Sequence, residues 1–183
     1  MEARFDNKAN ILNASMLAAH DNSAIYRFKT NFSFRGRDIT LLQDMNPALG
    51  SDAATVGAIH WRDKVIEVNG HKKKVSDLKT KKGGFMSKAR YWRWTAERRE
   101  YELKFVNDEW ASTVKSDGTS KVVGRFAVPY RPHLFTKPPD PLLSMTRTAL
   151  AEDEVFLLLV LVYSEAKRQD DTNSSVGNGS EGW

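Results

Sequence analysis

One apolar block near the end of the chain constrains the fold more than any other feature. Residues 155–163 read VFLLLVLVY, nine apolar side chains in succession. Acidic residues at 152–154 precede the block and Lys167 and Arg168 follow it, which is the polarity that complements a helix dipole. A helix without a polar face must be surrounded on all sides by other apolar parts of the protein. The block is also far shorter than the roughly 20 apolar residues that cross a bilayer. It therefore predicts a buried helix near 152–168.

A strand buried on both faces is the alternative interpretation of the same block. Hydrophobic periodicity alone cannot separate the two, because a continuous apolar run of this length fits either element. Leucine favours the helix, whereas valine, phenylalanine and tyrosine favour the strand. The charge polarity at the two ends of the block favours the helix.

The rest of the chain shows short alternating segments bounded by turn residues, a pattern typical of an all-β sandwich or barrel. The predicted strands lie at 24–30, 37–42, 55–61, 65–68, 73–75, 91–95, 101–105, 110–114 and 121–128. Two of the turns, Asn69-Gly70 and Asp117-Gly118, are strong hairpin signals. With the buried helix, the pattern predicts an all-β fold: a closed antiparallel barrel of roughly 9 to 12 strands around a hydrophobic C-terminal helix.

Composition limits the domain organisation to a single core. A chain of 183 residues with 40% hydrophobic content buries one core economically, so we expect one domain over residues 1–169. Five prolines between 129 and 141 predict an extended crossover from the last strand to the helix. Residues 170–183 are rich in Gly, Ser, Asn and Asp and predict a disordered polar tail.

Several classes of function find no support in the sequence. The chain has no cysteine, and its four histidines lack metal-ligand spacing, so neither a disulfide framework nor a metal site is expected. No P-loop, nucleophile elbow or zinc-protease motif is present. We therefore expect no enzyme activity and no cofactor. The first residues lack the pattern of a signal peptide, which predicts a cytoplasmic protein.

The basic segment is the candidate binding surface. Residues 62–104 hold fourteen Lys or Arg against six Asp or Glu, a net charge of +8. Each cation near an anionic membrane contributes about 1 kcal/mol, so a cluster would give reversible, salt-sensitive docking at the membrane periphery. The candidate lipid-binding residues are Lys72, Lys73, Lys74, Lys79, Lys81, Lys82, Lys88, Arg90 and Arg93.

Three other interpretations of the same residues stay open. The charges can form a solvated loop that keeps edge strands unpaired. The domain can be a protein-interaction or structural module without a small ligand. With Tyr91, Trp92 and Trp94, the charges can also form a stacking platform for single-stranded nucleic acid. Adjacent residues of a strand face opposite sides of the sheet, however, so Tyr91 and Trp92 cannot both belong to one platform.

The order of three motifs resembles a known superfamily. These are AIYRFKT at 24–30, VGAIHW at 56–61, and the ending at 153–168, which reads Asp-Glu, an apolar run and Glu-Ala-Lys-Arg. They resemble an uncharacterised fungal domain family within the tubby C-terminal-like superfamily, which includes phospholipid scramblases and LURP-one-related proteins. The resemblance implies a closed antiparallel barrel around a hydrophobic C-terminal helix. It also implies phosphoinositide binding in a basic pocket, as in tubby proteins. The chain departs from the family pattern in its basic insert around 72–88.

Overall fold

A computed structural model describes residues 1–47, 53–82, 89–116, 118–128 and 139–175. In this part of the chain, thirteen strands form one antiparallel sheet, accompanied by two helices and a 3₁₀ turn at Ile11–Asn13. The strands are β1 (Glu2–Phe5), β2 (Ser15–Ala18), β3 (Ala24–Ser33), β4 (Gly36–Asp44), β5 (Ala54–His60), β6 (Val65–Val68), β7 (His71–Lys74), β8 (Lys79–Thr80), β9 (Arg90–Trp92), β10 (Tyr101–Val106), β11 (Glu109–Ser116), β12 (Thr119–Ala127) and β13 (Leu142–Met145). The helices are α1 (Val75–Leu78) and α2 (Arg147–Ser175).

Each predicted strand segment overlaps an observed strand. Four short strands, β1, β2, β8 and β13, were not predicted, and they bring the total to thirteen, above the predicted range. The predicted proline crossover falls largely on residues 129–138, which lie outside the described residues. The first and last strands meet in the middle of the sheet, where β1 pairs with both β2 and β13.

The prediction of a closed barrel is wrong, because the sheet is open. Its strand order runs β7-β6-β5-β4-β3-β2-β1-β13-β12-β11-β10-β9-β8, so β7 and β8 are the two edges. Within the described residues these edges do not pair with each other, and the single helical turn α1 lies between them in the chain. The amide of Val75 donates to the Lys64 carbonyl at 2.8 Å, and the amide of Arg93 donates to the Leu78 carbonyl at 3.0 Å. Helix α1 is therefore tied to both sides of the opening.

Local sequence explains why the sheet stops at these edges. Strand β7 reads His-Lys-Lys-Lys, and lysines on an edge strand oppose further strand pairing. Val75 and Leu78 of α1 are both buried, so the helical turn contributes apolar side chains to the core where a closing strand pair would otherwise lie.

The predicted helix is confirmed in α2, and the strand alternative is wrong. Residues 156–164 are each no more than 5% exposed. Strands β5 and β6 from one half of the sheet and β12 from the other half contact the helix. The helix bends at Asp153, whose φ of −144° is not helical, and it continues beyond the predicted end near 168 to Ser175. It therefore includes residues 170–175, the first part of the segment whose composition predicts a disordered polar tail.

A glycine on β5 allows the sheet to approach the helix closely. A Cβ atom at Gly57 would lie 2.8 Å from Cδ1 of Leu159 and 2.9 Å from Cγ1 of Val155. Real Cβ atoms essentially never make contacts this short, so any larger residue would push the strand or the helix out of place.

Two carboxylates on α2 are buried with partners. The Tyr101 hydroxyl donates to Asp153 at 2.8 Å, beside the helix bend. Glu165 is fully buried; it accepts from Trp110 Nε1 at 2.9 Å and from two nitrogens of Arg168 at 2.8 Å each. Partnered charges of this kind avoid the cost of an isolated ion in the core, and they fix the helix against β10 and β11.

The two ends of the fold are distinguished by the direction of α2. Asp170, near the end of the helix, pairs with Arg37 beside the tip of the β3–β4 hairpin. We call this end the C-terminal pole and define it by residues 33–37, 61–64 and 167–170. At the other end, Arg98 donates to the Glu152 carbonyl at 2.7 Å. We call that end the N-terminal pole and define it by residues 93–101 and 147–153.

Candidate anion-binding site

The nine predicted lipid-binding residues do not form one patch. Strand alternation separates those that the structure describes into a sheet-exterior group and a core-side group. The exterior group contains Lys72, Lys74, Lys82 and Arg93, and the core-side group contains Lys73, Lys79 and Arg90. Lys81 follows β8, and Lys88 lies outside the described residues.

Most of the exterior group is already neutralised. Lys72 Nζ lies 3.5 Å from Glu67, which is also bonded to His60 Nε2 at 2.8 Å. The hydrogen bond with His60, aided by the charge of Lys72, lowers the pKa of Glu67. At the other edge of the sheet, Lys82, which follows β8, and Arg93, which follows β9, share Glu100. Lys72, Lys82 and Arg93 therefore form surface ion pairs with Glu67 and Glu100, and they do not make a free anion-binding surface.

Lys73 has a structural role at the opening of the sheet. Its Nζ donates to the Trp94 carbonyl at 2.8 Å and lies 5.1 Å from the centre of the Trp94 ring. Trp94 follows β9 and packs against Phe156 of the helix, with ring centres 5.5 Å apart. Because β7 and β9 lie on opposite sides of the opening, the Lys73 side chain spans it.

Lys79 and Arg90 occupy positions that face the core. Lys79 pairs with Trp92 across β8 and β9, and Arg90 pairs with Leu103 across β9 and β10. Trp92 and Leu103 are fully buried, and paired residues share a face of the sheet. Both cations therefore project from the inner face of the sheet and not from its exterior.

Lys79 is the most unusual of these residues. It is half-buried, and its Nζ lies 5.8 Å from the centre of the Trp92 ring. Among the described residues, no carboxylate forms an ion pair with it. Burial, followed by the nearby charges of Arg90, Lys167 and Lys64, lowers the pKa of Lys79. Three cations thus act on one partly desolvated ammonium group.

We define the cationic cluster as Lys64, Lys79, Arg90 and Lys167. Lys64 is exposed in the turn between β5 and β6, where its φ is +52°, and Lys167 lies near the end of α2. Within the cluster, Lys167 lies 3.9 Å from Asp170, a carboxylate that also pairs with Arg37. The sequence analysis missed Lys64 as a site residue and assigned Lys167 only to the helix dipole. Nothing in the linear pattern brings these two residues together.

A shallow concavity of about 300 Å³ lies near the cluster's pole but has a different character. Its lining is of mixed charge and contains two carboxylates, which oppose an anionic ligand. The lining residues are Asp38, Ile39, His60, Arg62 and Asp63.

The aromatic residues of this region lie on both sides of the sheet. Trp92 is fully buried and meets Tyr163 edge to face, with ring centres 5.9 Å apart. Tyr163 stacks on Trp61 at 5.4 Å on its other side. Tyr91 faces the opposite side of the sheet from Trp92, where Lys82 lies 5.1 Å from its ring. The stacking platform considered for nucleic acid is therefore not formed by these rings.

The described residues also bear on the other classes of site. In residues 1–47, 53–82, 89–116, 118–128 and 139–175, no three metal-ligating side chains come together. Neither α1 nor α2, over the same ranges, combines the length and the apolar character that a membrane span requires.

Comparisons with known proteins do not assign the chain to a family. No family model, no curated protein and no solved structure matches it.

Proposed function

We propose that this protein is a non-enzymatic, membrane-peripheral module that binds anionic lipid headgroups through the cationic cluster. The observation that carries the proposal is Lys79, a half-buried ammonium with three further cations nearby and no ion-paired carboxylate in the described residues. This arrangement of cations fits a cytoplasmic protein that docks reversibly on membranes.

Within the described residues, no carboxylate compensates the charge of Lys79. Bringing a cation out of water costs free energy unless an opposite charge repays it, and three like charges nearby add to that cost. A phosphate group would supply an anion to Lys79, and the nearby cations would add to its attraction. It would also oppose the effect of the nearby cations, which, after burial, lower the pKa of Lys79.

The proposal shifts the site relative to the one predicted from sequence. Of the nine predicted residues, only Lys79 and Arg90 belong to the cluster, and Lys64 and Lys167 join them. The resemblance to the tubby C-terminal-like superfamily, whose tubby members hold phosphoinositides in a basic pocket, supports the same ligand class. Phosphoinositides are therefore the first lipids to test.

Removing the charge of Lys79 should weaken vesicle binding. For Lys79→Gln we expect a loss of about fivefold in affinity for phosphatidylcholine vesicles that contain a phosphatidylinositol bisphosphate, since each cation contributes about 1 kcal/mol. The triple variant with Lys64, Lys79 and Lys167 changed to Gln should lose on the order of 100-fold. Co-sedimentation at low and physiological salt measures both effects.

Lys115→Gln is the matched control, because Lys115 is an exposed lysine on β11 outside the cluster. It removes the same charge and should bind nearly as the unmodified protein does. Equal losses for Lys79→Gln and Lys115→Gln would show only a net-charge effect and contradict the site. An absence of binding at either salt would contradict the function and favour the protein-interaction domain.

A further inference from the structure

The tip of the β3–β4 hairpin displays two phenylalanines away from the core. Phe32 is 62% exposed, and Phe34 is fully exposed. Gly36, with φ of +99°, completes the tight turn that places Phe34 at the apex. Because the Phe34 ring buries almost no area within the fold, it contributes little to folding stability. The fold itself therefore offers no reason for an aromatic residue at this position.

The charges around the tip indicate what it would contact. Residues 29–37 read KTNFSFRGR and contain three cations and no acidic residue. Lys29 and Arg35 are exposed. Two copies of this tip would repel each other, which disfavours self-association through it. Aromatic rings flanked by cations suit the interface of an anionic bilayer, where the rings enter the acyl boundary and the cations stay among the headgroups.

The tip and the cationic cluster lie at the same pole, and each pairs one of its cations with Asp170. Arg37, at the base of the tip, lies 4.9 Å above the ring of Trp61 and pairs with Asp170. Lys167 of the cluster also pairs with Asp170, at 3.9 Å. A membrane that meets the cluster from the C-terminal pole would therefore meet the hairpin tip as well.

We propose that Phe32 and Phe34 insert into the headgroup–acyl boundary of an anionic bilayer when the cationic cluster binds lipid headgroups. This inference rests on the proposed function and deepens it, because it commits the ligand to a bilayer rather than to a free inositol phosphate. The cluster supplies the electrostatic attraction, and the hairpin supplies apolar contact that a soluble headgroup cannot use.

The absence of cysteine makes insertion directly measurable. In Phe34→Cys, a single environment-sensitive fluorophore such as NBD reports the polarity at the tip. The control is Ser120→Cys, at an exposed position beside the β11–β12 turn. This turn lies at the opposite end of β11 from Trp110, which bonds Glu165 next to the C-terminal pole. With vesicles of phosphatidylcholine and a phosphatidylinositol bisphosphate, the label at position 34 should shift to the blue and brighten. The label at position 120 should not change.

A second variant tests the contribution of the ring itself. Phe34→Ala should weaken vesicle binding about tenfold, less than full burial of a phenylalanine would give, because insertion is partial. It should leave binding of soluble inositol trisphosphate unchanged. Val122→Ala, which shortens an apolar side chain exposed on the sheet, is the control and should bind as the unmodified protein does.

The failure of insertion and the failure of lipid binding give different results. Protein that co-sediments with vesicles while the label at position 34 stays in water would overturn insertion alone. Equal vesicle affinity of Phe34→Ala and the unmodified protein would do the same, and would point to a protein partner for the tip. Protein that does not sediment with anionic vesicles would overturn both proposals.

Discussion

Leu159→Asp is expected to abolish folding. Leu159 lies in the middle of α2, is fully buried, and meets β5 at Gly57. An ionised carboxylate there would have no partner, and its desolvation cost is several kcal/mol or more. Loss of the leucine packing adds about 2–5 kcal/mol. Together these costs reach the whole stability of a typical domain, about 5–15 kcal/mol. Circular dichroism and thermal melting of the purified variant measure the effect.

Two control variants separate the effect of the buried site from the effect of the introduced carboxylate. Leu159→Met conserves the volume and should cost less than about 1.5 kcal/mol. Leu142→Asp places the same carboxylate on an exposed position of β13 and should be tolerated within about 0.5 kcal/mol. A Leu159→Asp protein that melts cooperatively near the temperature of the unmodified chain would refute the buried position of α2.

Arg168→Leu is expected to destabilise the protein by about 3–5 kcal/mol, because it leaves the buried Glu165 carboxylate without its cation. The hydrogen bonds from Trp110 and Gln169 would remain but cannot neutralise the charge. In the intact protein, the same contact with Glu165 raises the pKa of Arg168. Urea denaturation of the variant and the unmodified chain measures the change in free energy of unfolding.

A matched surface pair provides the control for this prediction. Arg125 pairs with Glu109 on the exposed side of the sheet, and Arg125→Leu should cost about 0–1 kcal/mol. Adding Glu165→Gln to Arg168→Leu should recover much of the lost stability, because the buried charge is then absent. If Arg168→Leu proves as mild as Arg125→Leu, the Glu165 pair does not stabilise the fold as we infer.

The sequence predicted α2 correctly because its signal is local. Nine apolar residues between acidic and basic ends indicate a buried helix, whichever strands pack around it. Closure of the sheet is a different kind of property. Alternation shows which side chains of a strand share a face but not which strand it pairs with, and α1 is too short to show helical periodicity. We therefore predicted a return strand at 73–75 that would continue the sheet, whereas β7 ends at Lys74 and a helical turn begins.

The candidate site was only partly predictable for a related reason. Charge density identified the basic segment, yet strand alternation sends its lysines to two sides of the sheet. Glu67 and Glu100 then neutralise several of those on the exterior. The cluster around Lys79 needs Lys64 and Lys167, and the chain brings them together only through the pairing of β8 with β9 and the path of α2. No spacing rule in the sequence encodes this arrangement.

Hydrogen–deuterium exchange of the unmodified protein, with and without phosphoinositide-containing vesicles, tests most directly whether the C-terminal pole is the membrane-binding face. We predict slower exchange in peptides that cover residues 29–37 and 61–64, and unchanged exchange in peptides that cover 93–101. Neutral phosphatidylcholine vesicles should produce no protection. Protection centred on 93–101, or equal exchange with and without anionic vesicles, would contradict the account.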